Sequence, residues 1–106
     1  MADRIVFRVT TPLGYGVVLT RNRWRDLVRF KHPAIKNYQK EAKQCVSQPD
    51  LIRASGKEPD VHLYYLSLET GKHLCVVVAR DDSDERFVVT AYLTARIKQG
   101  NELWTK

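Results

Sequence analysis

Three hydroxyl-bearing residues, Thr90, Tyr92 and Thr94, stand at alternate positions in the stretch Arg86-Phe-Val-Val-Thr-Ala-Tyr-Leu-Thr94. Alternate side chains of a strand share a face, so these three lie together with Val88, and Phe87, Val89, Ala91 and Leu93 form the other face. The apolar set suits a core. The hydroxyl set suits either a half-exposed pleat, where Thr and Tyr are ordinary residues, or a site that contacts a polar ligand. His32, His62 and His73 are the available imidazoles. No metal-ligand spacing, phosphate-binding glycine loop, GxSxG elbow or dinucleotide fingerprint occurs, so any enzymatic chemistry is expected to need neither metal nor cofactor. Cleavage of RNA meets that limit, because the substrate brings its own nucleophile, the 2′-hydroxyl. The protein then has to position it, stabilise the phosphorane-like charge with Arg or Lys, and move protons with His, Tyr or a carboxylate.

The chain that must position these groups has 106 residues, 43% of them hydrophobic and 28% charged, which is globular composition and predicts a single domain over 1–106. Such a length removes roughly two-thirds of the unfolded chain's surface from water, enough to fold without disulfide or metal. Cys45 and Cys75 stand alone, 30 positions apart, and read as small core residues. No apolar leader follows the opening Met-Ala-Asp-Arg and no apolar run approaches the roughly 20 residues of a membrane span, so a cytoplasmic protein without a membrane partner is expected. A net charge of +6 and a pI of about 9.6 favour polyanion capture, with nucleic acid the first partner to consider.

In order, Arg4–Thr10 reads as a strand, Thr11-Pro-Leu-Gly-Tyr-Gly16 as a turn, and Val17–Thr20 as a second extended run. Trp24, Leu27 and Val28 then carry the stripe of a short helix that ends at His32-Pro33. A second helix is expected from near Ala34 to Pro49, with Ile35, Tyr38, Ala42, Cys45 and Val46 on its apolar side and Lys36, Lys40 and Lys43 on another. Arg21, Arg23, Arg25, Arg29 and Lys31 crowd the first helix; they read either as a solvated face or as phosphate contacts. Acid concentrates instead in Asp81, Asp82, Asp84 and Glu85. A short extended piece at 50–53 and a loop at 54–60 lead to three strands, His62–Glu69, His73–Arg80 and Arg86–Thr94, an antiparallel meander.

With Thr70-Gly71 as a two-residue turn, Leu66 opposes Cys75 and Tyr64 opposes Val77; with an even loop at 81–84, Val77 opposes Val88, Cys75 opposes Thr90 and His73 opposes Tyr92. These registers predict one face of Leu63, Tyr65, Leu74, Val76, Val78, Phe87, Val89, Ala91 and Leu93 packed against the helices. The other carries His62, Tyr64, His73, Thr90, Tyr92 and Thr94. His62 and His73 fall at opposite ends of their strands, roughly 18 Å apart, too far for one acid-base pair. His73 with Tyr92 is the better local pair, and His32 before Pro33 reads equally as a cation at a helix C-terminus.

Arg23-Trp24, His32-Pro33, Pro49-Asp-Leu-Ile52, Tyr64-Tyr65, Leu74-Cys-Val-Val-Val78 with Arg80, and Phe87-Val-Val-Thr-Ala-Tyr92 followed by Ile97-Lys98 and Gly100 resemble the small phage-associated nuclease-like domains of the barnase/EndoU/colicin/RelE (BECR) class. The resemblance spans roughly residues 17–104. It implies an α+β fold with N-terminal helices packed on an antiparallel sheet, and a metal-independent endoribonuclease, toxin-like or phage-derived, whose partners are RNA and a small acidic neutralising protein. Carried over by position, Arg80 contacts the phosphate, and Thr90, Tyr92 and Thr94 line the cleavage site. Where the group's pattern sets Trp-x-His, this chain has Trp24-Arg25-Asp26, and where it sets His-Pro-Glu, this chain has His32-Pro33-Ala34. The catalytic expectation is therefore Arg80, Thr90 and Tyr92, with Asp26 or His32 as proton carrier. Arg21, Arg23, Arg25, Tyr64, His73 and Thr94 are expected to bind RNA. The alternative is a catalytically inactive nucleic-acid- or protein-binding module on the same scaffold.

Overall fold

The computed structural model describes residues 3–80 and 85–106; the acidic residues Asp81, Asp82 and Asp84 and the loop expected at 81–84 lie outside the described residues. The elements are β1 (Ile5–Thr10), β2 (Gly16–Thr20), α1 (Arg21–Asp26), a π-helical turn (Leu27–Lys31), a 3-10 turn (Pro33–Ile35), α2 (Gln39–Ser47), β3 (Leu51–Ala54), β4 (His62–Ser67), β5 (His73–Arg80), β6 (Arg86–Thr94) and β7 (Glu102–Thr105). The strands form one sheet in the order β1-β2-β6-β5-β4-β3-β7. The fold is α+β, and the β4-β5-β6 meander is present. Two expectations need correction. The helices are not N-terminal, since a hairpin precedes them, and the sheet is mixed, because β2 runs parallel to β6.

Local chemistry sets the helical boundaries. The Thr20 hydroxyl caps α1 by accepting from the Arg23 amide at 3.3 Å. Helical winding then widens: the His32 amide bonds the Leu27 carbonyl at 2.7 Å, five residues back. Pro33 has no N–H to continue that ladder and opens a new 3-10 turn, so the second helix starts only at Gln39 rather than near Ala34.

The main core lies on one face of the sheet. Ala42, Cys45 and Val46 of α2 pack there over Tyr64, Leu66, Leu74, Val76, Val78, Val88 and Ala91, with Phe7, Val17 and Leu19 from the hairpin. A smaller cluster of Leu63, Tyr65 and Cys75 occupies the opposite face, joined by Leu51, Val77, Tyr92 and Ile97. The chain between β6 and β7 roofs it: the Lys98 amide donates to the Tyr65 hydroxyl at 3.1 Å, and Arg53 Nη1 donates to the Lys98 carbonyl at 3.0 Å.

Two local insertions set the register. The hairpin loop is Glu69-Thr70-Gly71, closed by the Leu68 amide on the Lys72 carbonyl at 2.9 Å, with Gly71 at φ +86°. It is one residue longer than the expected turn and needs the left-handed glycine. Tyr64 therefore pairs with Val76 and Ser67 with His73, and every β4 side chain changes face. Tyr64 and Leu66 enter the main core; Leu63 and Tyr65 leave it. Between β5 and β6, Val78 pairs with Val88 but Val77 pairs with Thr90, so Val89 is an inserted bulge residue. Beyond it Cys75 faces Tyr92 and His73 faces Thr94, two positions from expectation, which preserves the parity of the hydroxyl face. On the near side of the bulge, Val88 rather than Phe87 or Val89 is buried.

Candidate functional site

Tyr92 is the centre of a convergence on the sheet face that α2 does not cover. β6 supplies Tyr92 and Thr90, and β5 sets Cys75 directly across from Tyr92. β2 runs beside only Arg86 and Phe87 of β6, and farther along the 3-10 turn packs on that strand instead. This brings the His32 ring to 5.7 Å from the Tyr92 ring, tilted by 38°. The returning chain places Lys98 Nζ 5.5 Å from the Tyr92 ring centroid, a cation–π contact. Sequence reasoning missed Lys98, because nothing local ties it to β6. Its signal was the resemblance string Ile97-Lys98.

The hydroxyls here are donors rather than bases. Burial pushes the Tyr92 phenol well above its usual range, with its hydrogen bond to the Cys75 thiol a further cause. Burial likewise raises Tyr65 to about 12 and Cys75 to about 11. All three stay protonated near neutral pH. Thr90 Oγ1 and Tyr92 OH are buried with no hydrogen bond of normal geometry, Tyr92 having only the weakly accepting thiol beside it. The group thus combines an imidazole, an ammonium and two donor hydroxyls.

The other expected site residues do not join it. Arg80 ends β5 opposite Arg86, five residues beyond Cys75 and so roughly 16 Å along the strand from Tyr92. Asp26 is exposed at the end of α1, 3.6 Å from Arg25 Nε, and lines a cavity of about 370 Å³ with Arg23, Leu27, Phe30, Lys31 and Val89. Arg21 and Arg25 line a second, of about 800 Å³, with Arg4, Trp24 and Arg29. Arg23 extends over the Phe87 ring at 5.6 Å. His73 lies 3.4 Å from the Ser67 hydroxyl, and Thr94 Oγ1 closes the strand end by donating to the Arg96 carbonyl at 2.9 Å. Tyr64 is a correction. It is fully buried in the main core because β4 is flipped, and cannot meet RNA.

Tyr64 instead belongs to a second polar group, assembled where the β1–β2 turn meets the start of β4. Gly14, at φ +93°, lets the turn close and projects Tyr15. Tyr64 donates to the Tyr15 hydroxyl, and Tyr15 to His62 Nδ1 at 2.7 Å. Arg86 lies 4.3 Å over the Tyr15 ring, donates to the Asp60 carbonyl at 2.8 Å, and has Nη1 3.3 Å from the same His62 nitrogen. Two donors aimed at Nδ1 put the proton of neutral His62 on Nε2. Burial, then the Arg86 charge, lowers the His62 pKa to about 4. The unfolded chain, with an ordinary value near 6.5, binds more protons between the two. Stability is therefore full above about pH 6.5 and falls as the pH drops towards 4. The expected loss is about 1–2 kcal/mol after allowance for solvent screening at this half-exposed ring. Urea titrations at pH 7 and pH 4.5 should show it in the natural chain and much less of it in His62→Gln; equal slopes against pH in both would refute it.

Comparison with known proteins gives no match: no family model, no curated protein and no solved structure. Among the described residues, no three His, Cys, Asp or Glu side chains gather as a metal site, and no helix is long and apolar enough to cross a membrane.

Proposed function

We propose that this protein is a metal-independent endoribonuclease of the BECR type, cleaving RNA by attack of the 2′-hydroxyl, with His32, Tyr92, Thr90 and Lys98 as its site. One observation carries the reading: the Tyr92 ring has both an imidazole and an ammonium against it, His32 at 5.7 Å and Lys98 at 5.5 Å. His32 takes the proton from the 2′-oxygen, which bonds to phosphorus. Lys98, held against the Tyr92 ring, bears the charge that develops on the non-bridging oxygens. The bond from phosphorus to the 5′-oxygen breaks, and that oxygen takes a proton from the imidazolium or from water. The products are a 2′,3′-cyclic phosphate and a 5′-hydroxyl. Lys98 thereby fills the role first expected of Arg80, and the arginines of α1 guide the strand. RNA is the partner under this reading, and an acidic neutralising protein would meet the same basic face.

The test is incubation of the protein with mixed labelled RNA in EDTA, with analysis of product ends. Lys98→Ala should lower the rate by roughly 10²-fold, the scale of one removed charge-stabilising group. Arg80→Ala should stay within about threefold of the natural chain, since its position is remote from Tyr92. Salt-sensitive binding of RNA with no products would favour the binding module instead, a reading in keeping with Asp26, which stands beside Arg25 at the exposed end of α1.

A further inference from the structure

We infer that Phe30 is a stacking platform for an unpaired base, so that the RNA taken by the site is single-stranded. The inference rests on the nuclease reading for its substrate and deepens it. In an α-helix, the residues three and four beyond Leu27 would share its inward stripe. Leu27 is buried, yet Phe30 is 72% exposed. The π-helical turn accounts for this: closing from His32 back to Leu27 widens the winding and carries the ring out of the stripe. The same bond delivers His32 to Tyr92, so one irregularity sets both the imidazole and the exposed ring.

The surroundings suit a nucleotide. The Arg29 guanidinium lies 5.3 Å from the Phe30 ring centroid, a cation–π contact that steadies the ring. Phe30 also lines the smaller cavity, where Asp3 and Asp26 balance Arg23 and Lys31, together with Val89, which immediately precedes Thr90 of the site. Arg29 continues into the larger cavity, with Arg4, Arg21 and Arg25. A base on Phe30 would leave its flanking phosphates to these cations. Bases of a duplex are already stacked and paired and have no free face to offer, whereas a single strand can give up one base to an aromatic ring.

The experiment uses the full chain and a fluorescein-labelled 2′-O-methyl oligoribonucleotide, which binds but cannot be cut by 2′-oxygen attack. Anisotropy should report at least tenfold tighter binding of the single strand than of the same strand in a duplex. Phe30→Ala should weaken single-strand binding about tenfold, without altering duplex binding or the salt dependence, and Phe30→Tyr should restore it. Thermal unfolding of Phe30→Ala should match that of the natural chain, since the ring is exposed. Unchanged binding in Phe30→Ala, equal affinity for both forms, or no binding overturns the platform. Cleavage of natural RNA alongside Phe30-independent binding removes the platform and keeps the nuclease. Phe30-dependent binding without cleavage removes the nuclease and keeps the platform.

Discussion

Replacing His32 with alanine should lower RNA cleavage by roughly 10²–10⁴-fold, the range attributed to a positioned general base. Among the described residues no neighbour can substitute for it. Tyr92, Tyr65 and Cys75 are all held protonated by burial, and Lys98 is a cation. Asp26 is the remaining carboxylate candidate from the sequence, but the cavity it lines does not include His32, Tyr92 or Lys98. His32 is half-buried between two short turns, so the variant must first be shown to unfold at the same temperature as the natural chain. Two further readings separate chemistry from packing. Added imidazole should recover part of the rate in His32→Ala. Tyr92→Ala removes the ring that His32 and Lys98 pack against, so a loss of roughly tenfold to 10²-fold is expected there, whereas Tyr92→Phe keeps that ring and should cost little. A natural rate in His32→Ala would move the proton transfer elsewhere.

Gly100→Ala should destabilise the protein by about 3 kcal/mol or more, lowering the melting temperature by roughly 12 °C for a chain of this size. A Cβ at Gly100 would lie 2.1 Å from the Ala54 carbonyl oxygen, far inside any contact distance. That oxygen cannot swing away, because it belongs to β3. The Ala54 amide bonds the Asn101 carbonyl at 2.8 Å, and β3 is paired on both sides. The chain at 100 would have to withdraw from β3, loosening β7 and the segment that holds Lys98 over Tyr92. Cleavage should therefore fall along with stability. Gly56→Ala is the control: its nearest neighbour is the Gln99 carbonyl oxygen at an ordinary 3.8 Å, and a change within about 1 kcal/mol is expected. Differential scanning calorimetry of the two variants decides the matter, and equal melting temperatures would mean that the 54–101 contact is not rigid.

Local pattern made much of the architecture legible. Alternation in 86–94 placed Thr90, Tyr92 and Thr94 on one face, and they are there. The 3.6-residue stripe found the helix that begins at Arg21, and Pro33 and Pro49 marked real boundaries. Those features depend on neighbours a few residues away. Register does not: it depends on loop conformation, and one extra residue at Glu69–Gly71 exchanged Tyr64 for Tyr65 across the sheet. Since strand side chains have a period of two, an error of one residue in a turn becomes an error of a whole face. The bulge at Val89 happened to restore parity in β6, which is why its hydroxyl face survived a register that was wrong by two.

The sequence by itself determined the basic charge, the hydroxyl strand, the arginine-rich first helix and the lack of any metal-binding motif. Only the tertiary structure decided which of these groups meet. His32 reaches Tyr92 through a π-helical turn, Lys98 through the crossing from β6 to β7, and Tyr15 reaches His62 across two hairpins. His32 and Tyr92 stand 60 positions apart and Tyr15 and His62 stand 47, while Lys98, only six beyond Tyr92, reaches it because the chain folds back over the strand; such contacts are fixed by sheet order and loop length together. Neither is written in the spacing of the residues they bring together.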